Sequence, residues 1–320
     1  MSKLNLTLAC LDSDRVKPLI TKSVEPTGID LNVLPYSPDR SVWAMVQHQE
    51  FDVSEMTLAI YARLRAKGQT PYIAIPVFLA RTFPHGGIFV NKKSEIAKPK
   101  DLEGKKVACG QFQMTMAVWA RGVLRQQYGV DLKTINWHTR EPEIELEPPR
   151  QFNISVFSTG KSLPDRLVDG EVDALILPRV PPQFRSDHPH VNRLFHDYKA
   201  VELDYFIKTK IFPILHTLVI HERIYEQHPW VASSLFRAFV DAKEICYRNL
   251  SETMEGGRYM LPWLESYMEE IWEIMGEDFW PYGLEANRHA LETYMRYLHE
   301  QHLTERHIPI EELFAPNTID

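Results

Sequence analysis

Up to Ile220 the chain alternates strand-length apolar runs with helix-length amphipathic ones; beyond it almost everything has helical spacing. LNLTLACL and GIDLNVLPY alternate as strands do, and SVWAMVQHQ follows the capping oxygens of Ser37-Pro38-Asp39 as a short helix. FDVSEM reads as a strand end, YARLRAKG as a helix closed by Gly68, and YIAIPVFLA as a buried strand. After Asn91 the pattern resumes with KKVACG, a helix from QMTMAVW to near Gly129, and the strand LKTINWHT. A short strand in RQFNISVF follows, then helix, turn and strand in SLPDRLVDGEVDALILPR. Such alternation predicts an α/β protein with a parallel or mixed sheet. The acidic, Pro-rich REPEIELEPPR suits neither ladder nor helix and predicts a loop or flap. In the helical third, Trp263, Tyr267, Ile271 and Ile274 recur at helical spacing, which predicts core packing.

Composition narrows the function classes. With 320 residues, 44% hydrophobic and 25% charged, the chain is sized for one large core or two lobes. A net charge of -7 argues against a nucleic-acid partner, which calls for a basic face. Cys10, Cys109 and Cys246 are widely spaced and form no CxxC pair, so reduced thiols are expected. The N-terminus MSKLNLTLACLDSDR lacks a secretory apolar stretch, and no run approaches the ~20 apolar residues of a membrane span. The expectation is a cytoplasmic protein with no membrane partner. The aromatic-rich helical third is compatible with a homo-oligomer.

Two distant stretches share a layout. RTFPHGGIFVN (Arg81–Asn91) and KIFPILHTLVI (Lys210–Ile220) each combine Phe-Pro, a histidine and an apolar run. The order DLEGKKVACG, helix, YGVDLKTINW and RLVDGEVDALI resembles the second lobe of type II periplasmic-binding-protein folds. That resemblance implies a two-lobed α/β fold with mixed sheets, two hinge crossings at GGIFVN and FPILHTLVI, and C-terminal helices completing lobe one. Lobe one would comprise residues 1–87 and 215–320, lobe two residues 88–214, with the ligand cleft between them. YSPDRSVWAMVQHQEFDVSEMTLA, RTFPHGGIFVN, QMTMAVWARGVL, FPILHTLVI and FWPYGLEANRHALE are similar to the 4,5-dihydroxyphthalate decarboxylase family, over nearly the whole chain. The similarity implies a cytoplasmic enzyme that converts 4,5-dihydroxyphthalate to protocatechuate and CO2. The PHGG and EIELEPPR segments are where substrate choice would be adjusted.

In such a fold a histidine at each crossing would face one ligand, since small-molecule sites favour clefts between lobes. Direct loss of CO2 from an aryl carboxylate leaves an in-plane anion without stabilisation. The easier route protonates the carboxylate-bearing ring carbon, assisted by a para hydroxyl, and then expels CO2. This is acid–base chemistry and needs no organic cofactor. The acid and base are expected among His85, His216 and Glu55, with His138 a more remote candidate. The same His85, His216 and Glu55 have the donor types of a divalent-metal site, and the sequence leaves metal open. Arginine suits the dianion's carboxylates, which points to Arg81 and Arg179, then Arg40 and Arg121. Gln113, Met114 and Thr115 begin a helix whose free N–H groups favour an anion, and Thr115 is also a candidate N-cap. Trp280, Tyr282 and Gly283 lie in a segment that would close over an aromatic ring. The alternative readings are a non-catalytic binding protein for small aromatic acids and, behind it, a ligand-sensing regulatory domain.

Overall fold

The computed structural model describes residues 3–142, 146–158, 160–185, 187–256 and 259–318, and the side chains of these except 253–256. In chain order the strands are β1 (Leu4–Cys10), β2 (Ile29–Pro35), β3 (Val53–Thr57), β4 (Tyr72–Arg81), β5 (Ile88–Asn91), β6 (Lys106–Cys109), β7 (Asn136–Thr139), β8 (Asn153–Val156), β9 (Ala174–Ile176), β10 (Val191–Arg193) and β11 (Ile214–His221). They form two mixed sheets, ordered β2-β1-β3-β11-β4 and β10-β5-β9-β6-β7-β8. In the first sheet β2, β1 and β3 are parallel, while β11 runs antiparallel between β3 and β4. The carboxyl ends of β1, β3 and β4 therefore gather at one edge, beside the beginning of β11. Strand β4 is buried almost throughout, as its unbroken apolar run requires of a strand covered on both faces.

The chain leaves the first sheet after Arg81, turns through His85–Gly87 and enters the second sheet at Ile88. Gly87 sits where a Cβ would overlap the Leu177 carbonyl and the end of Met116, so only glycine fits the close approach. The chain returns through the helix Tyr198–Thr209, turns at Lys210 with φ +56, and re-enters the first sheet at Ile214. The helices Trp230–Gly256, Leu264–Met275 and Arg288–Glu300 follow.

The helix Thr115–Tyr128 follows β6 of the second sheet and reaches across to the first. Its Trp119 indole donates to the Ile214 carbonyl at 2.8 Å and lies 5.1 Å from the Tyr294 ring. Gly122 leaves room for Tyr297, whose ring occupies the place of a Cβ. One hydrophobic core therefore runs from Leu8 through Trp119 to Trp137, with a smaller one around Phe89, Leu167 and Phe184. Burying an indole as fully as Trp119 stabilises by about 3 kcal/mol.

Two expectations change. The helix Leu264–Met275 is not a core helix: only Met268 is buried, while Trp263 and Tyr267 are 81% and 52% exposed. Helical spacing marks an apolar face, but only a partner element can cover it. The acidic Pro-rich loop lies partly outside the described residues. Its Glu147 carbonyl accepts from Arg63 at 3.0 Å, which ties it to the helix Leu58–Ala66. All three cysteines are free and buried. Among the described residues no helix is long and apolar enough to cross a membrane.

Candidate active site

Glu55 lies in β3 and His216 near the start of β11. The register pairs Glu55 with Leu218 and Thr57 with His216, so the two are diagonal neighbours on one face of an antiparallel pair. Long side chains reach across such a diagonal. Here His216 Nδ1 and Glu55 Oε1 are 2.6 Å apart. The second carboxylate oxygen, Oε2, accepts from the Leu11 N–H at 2.9 Å, just beyond β1. The Glu55 side chain is 1% exposed and that of His216 15%, so the pair is anchored in the core and opens to solvent through the imidazole. Burial by itself raises a carboxyl; the His216 hydrogen bond and charge, the Leu11 N–H and the Arg15 charge together hold Glu55 below the usual range.

The strand beside His216 is irregular. Ile214 faces Arg81 and His216 faces Ala80, yet Leu218 faces Ile75, so β4 carries extra residues around Pro76–Leu79. A proline within a strand is placed at such bulges, which recur next to active sites. The bulge turns its carbonyls away from the ladder, and other groups take them. Gly283 N–H donates to Pro76 O at 2.8 Å, the Trp280 indole to Phe78 O at 2.7 Å, and Arg15 Nε to Leu79 O at 2.9 Å. The Arg15 guanidinium lies 4.6 Å from the centre of the Trp280 ring. Lys243 and Tyr247 both bind Asp278, and the Tyr247 hydroxyl accepts from the Trp280 N–H at 2.8 Å, which fixes this loop.

The expected site residues separate into those the fold brings to this edge and those it does not. His216, Glu55, Trp280 and Gly283 meet around the β4 bulge. His85 does not join them. It is 1% exposed in a box of Tyr128, Phe195 and Tyr205, with neither ring nitrogen hydrogen-bonded, and burial pushes its pKa down to about 4. The expectation of two histidines facing one ligand is corrected: His85 precedes β5 of the second sheet and is enclosed by Tyr128, Phe195 and Tyr205, whereas His216 lies in β11 of the first. Accordingly, among the described residues no three His, Cys, Asp or Glu side chains are grouped to hold a metal ion, so His85, His216 and Glu55 do not form such a set.

Arg81, expected on substrate, is a structural clamp. It is 8% exposed and donates to Phe212 O at 2.9 Å, Pro281 O at 2.8 Å and Asn287 Oδ1, and burial lowers its pKa to about 9. Arg121 is fully buried over the Phe112 ring, donating to Gln301 Oε1 and Phe112 O. Gln113 is buried against Arg63. Met114, not Thr115, is the N-cap residue; Thr115 is inside the helix and accepts from the Ala59 N–H at 3.2 Å, joining the lobes. Gln113 and Thr115 thus tie the start of this helix to the helix Leu58–Ala66. Arg40 and Arg179 are exposed. Tyr282 is 7% exposed, its hydroxyl buried and its pKa raised by that burial. His138 stacks on Phe157 in the second lobe. Arg15 is the residue sequence reasoning missed. The signal was present, since it follows the carboxyl end of β1, but its sequence neighbours gave no hint of Trp280 or β4.

Comparison with known proteins agrees with this architecture. Over 327 residues the chain is 33% identical to a 4,5-dihydroxyphthalate decarboxylase of Comamonas testosteroni, covering 100% of this chain and 99% of that protein. This chain belongs to the 4,5-dihydroxyphthalate decarboxylase family. A second member of the family, from Pseudomonas putida, is 30% identical over 213 residues, 64% of this chain and 83% of the relative. The family model described as ABC transporter, phosphonate, periplasmic substrate-binding protein matches residues 13–178. Among solved structures, the periplasmic aliphatic sulphonate binding protein SsuA from Escherichia coli superposes with TM-score 0.54 at 15% identity, covering 100% of this chain and 99% of that one. The desulfurization enzyme DSZB gives TM-score 0.51 at 12% identity, covering 99% and 98%. These likenesses show the type II periplasmic-binding-protein fold for the decarboxylase-family chain.

Proposed function

We propose that this chain is a carboxy-lyase for a hydroxylated phthalate, most directly 4,5-dihydroxyphthalate, with His216 as the proton-transferring group and Glu55 as its anchor. The observation that carries the proposal is the 2.6 Å His216–Glu55 contact, placed where the carboxyl ends of three like-oriented strands converge. The family supplies the substrate class, through what its named members act on.

Glu55 engages Nδ1, which leaves Nε2 as the nitrogen for proton transfer. The protonated imidazole donates to the ring carbon that bears the departing carboxylate. The para hydroxyl gives its proton to solvent water as density moves into the ring, giving a non-aromatic intermediate. The bond to the carboxylate then breaks, CO2 leaves, and its electron pair restores the aromatic ring. Glu55 keeps the imidazole oriented throughout. General acid–base help of this kind contributes about 10²–10⁴ in rate.

The test is to incubate the protein with 4,5-dihydroxyphthalate and follow CO2 and protocatechuate together. Equal release of both, lost in His216→Ala, is the expected result. Binding without release would leave the non-catalytic aromatic-acid binder, the reading nearer to the sulphonate-binding neighbours. Neither binding nor release would remove this substrate.

A further inference from the structure

An acid–base pair does not by itself hold a dianion, and the fold commits two of the four expected arginines elsewhere. Arg81 and Arg121 spend their donors inside the core, while Arg40 and Arg179 are exposed. Arg15 is differently placed. It belongs to the segment after β1, yet its guanidinium reaches Leu79 O in β4. In the sheet, β3 and β11 lie between β1 and β4, so this connection spans the strands that carry Glu55 and His216. Leu79 immediately precedes Ala80, the residue paired with His216.

The guanidinium is also held in one orientation. Nε and Nη2 donate to Leu79 O, Nη1 donates to Asp14 at 3.0 Å, and one face rests on Trp280. Of an arginine's five N–H donors, two remain uncommitted among the described residues. The Asp14 side chain is 52% exposed, so solvent screens its pairing. Arg15 keeps 18% of its own side chain exposed, close to the 15% of His216. A planar, pre-oriented fork with two free donors suits a carboxylate.

We propose that Arg15 is the specificity-determining cation of this site, binding one carboxylate of an aromatic dicarboxylate beside His216 and so selecting dianions over monoanions. The assignment rests on the decarboxylase reading for its substrate class, but it makes a claim about charge selection that binding alone can test. Phthalate and benzoate are the probes, since they differ by one carboxylate and neither carries the para hydroxyl that the reaction requires.

Calorimetric titration of the full chain should show phthalate bound more tightly than benzoate. Arg15→Met should weaken phthalate about tenfold or more, with benzoate changed by less than about threefold. Equal losses for both ligands would indicate a structural role and overturn the proposal, as would no loss for either. Arg15→Lys guards against misfolding, because it retains charge and stem but not the fork; it should weaken phthalate by about threefold or more, and unchanged affinity overturns the proposal. A wild-type protein that binds neither probe, or both equally, also overturns it. Charge selection by Arg15 without turnover of 4,5-dihydroxyphthalate would sink the decarboxylase reading alone.

Discussion

His216 and Glu55 come from positions 161 residues apart in sequence and meet at 2.6 Å because β11 inserts beside β3. Only the imidazole end of the pair is open to solvent. The carboxylate is satisfied from both sides, by His216 and by the Leu11 N–H. A base oriented by a buried acid is a common means of fixing a histidine's tautomer.

Removing the imidazole should therefore affect chemistry more than binding. His216→Ala is expected to lower kcat by about 10²–10⁴ with KM within a few-fold. Glu55→Gln keeps the shape but loses the carboxylate that orients the imidazole, and should lower kcat by about a hundredfold. Steady-state kinetics on 4,5-dihydroxyphthalate decides this, and a surviving kcat in His216→Ala would remove the pair from the mechanism.

Glu55 also makes an acid-stability prediction. Its pKa is depressed in the folded chain, so its stabilising contribution is fully present above the ordinary carboxylate range. The contribution is lost as pH falls through the depressed value. Thermal midpoints of wild type and Glu55→Gln should differ at neutral pH and converge in acid. A gap that is constant with pH would contradict the ionised, paired carboxylate.

His85 behaves oppositely in role but similarly in sign. Buried and without a hydrogen-bond partner, it is held neutral down to about 4, whereas the ordinary value is 6.5. The unfolded chain takes up this proton first, so stability falls as pH drops from 6.5 towards 4. His85→Phe fits the aromatic box and should flatten that acid slope, with kcat within about threefold of wild type. A large loss of kcat would return His85 to the site.

Arg81 should prove important to stability. Arg81→Met leaves the carbonyls of Phe212 and Pro281 and the Asn287 side chain without their donor, at a cost of about 2–4 kcal/mol in urea unfolding. Its folded fraction should bind phthalate as wild type does. A cost below about 1 kcal/mol, or selective loss of phthalate, would mean that the clamp is misassigned.

Gly87 tests the crossing between the lobes. Gly87→Ala places a methyl against the Leu177 carbonyl and Met116, and should cost about 1–3 kcal/mol. Wild-type stability in that variant would show that the crossing has slack.

Much of the architecture was legible in the sequence because short-range physics writes it there. Period-two and helical spacing marked β1 to β4 and the helix Thr115–Tyr128, and Gly129, at φ +65, closed that helix where expected. The same short-range signals were silent where a residue's role depends on distant partners. Arg81 ends β4 and Arg15 follows β1, but one is sealed by Pro281 and Asn287 while the other rests on Trp280. His85 and His216 occupy similar sequence motifs, but strands β5 and β11 enter different sheets. Spacing determines which segments become strands and helices. Which polar groups are buried, paired or left facing solvent is decided only when those segments pack, because desolvation and hydrogen bonding depend on neighbours that the chain brings from far away.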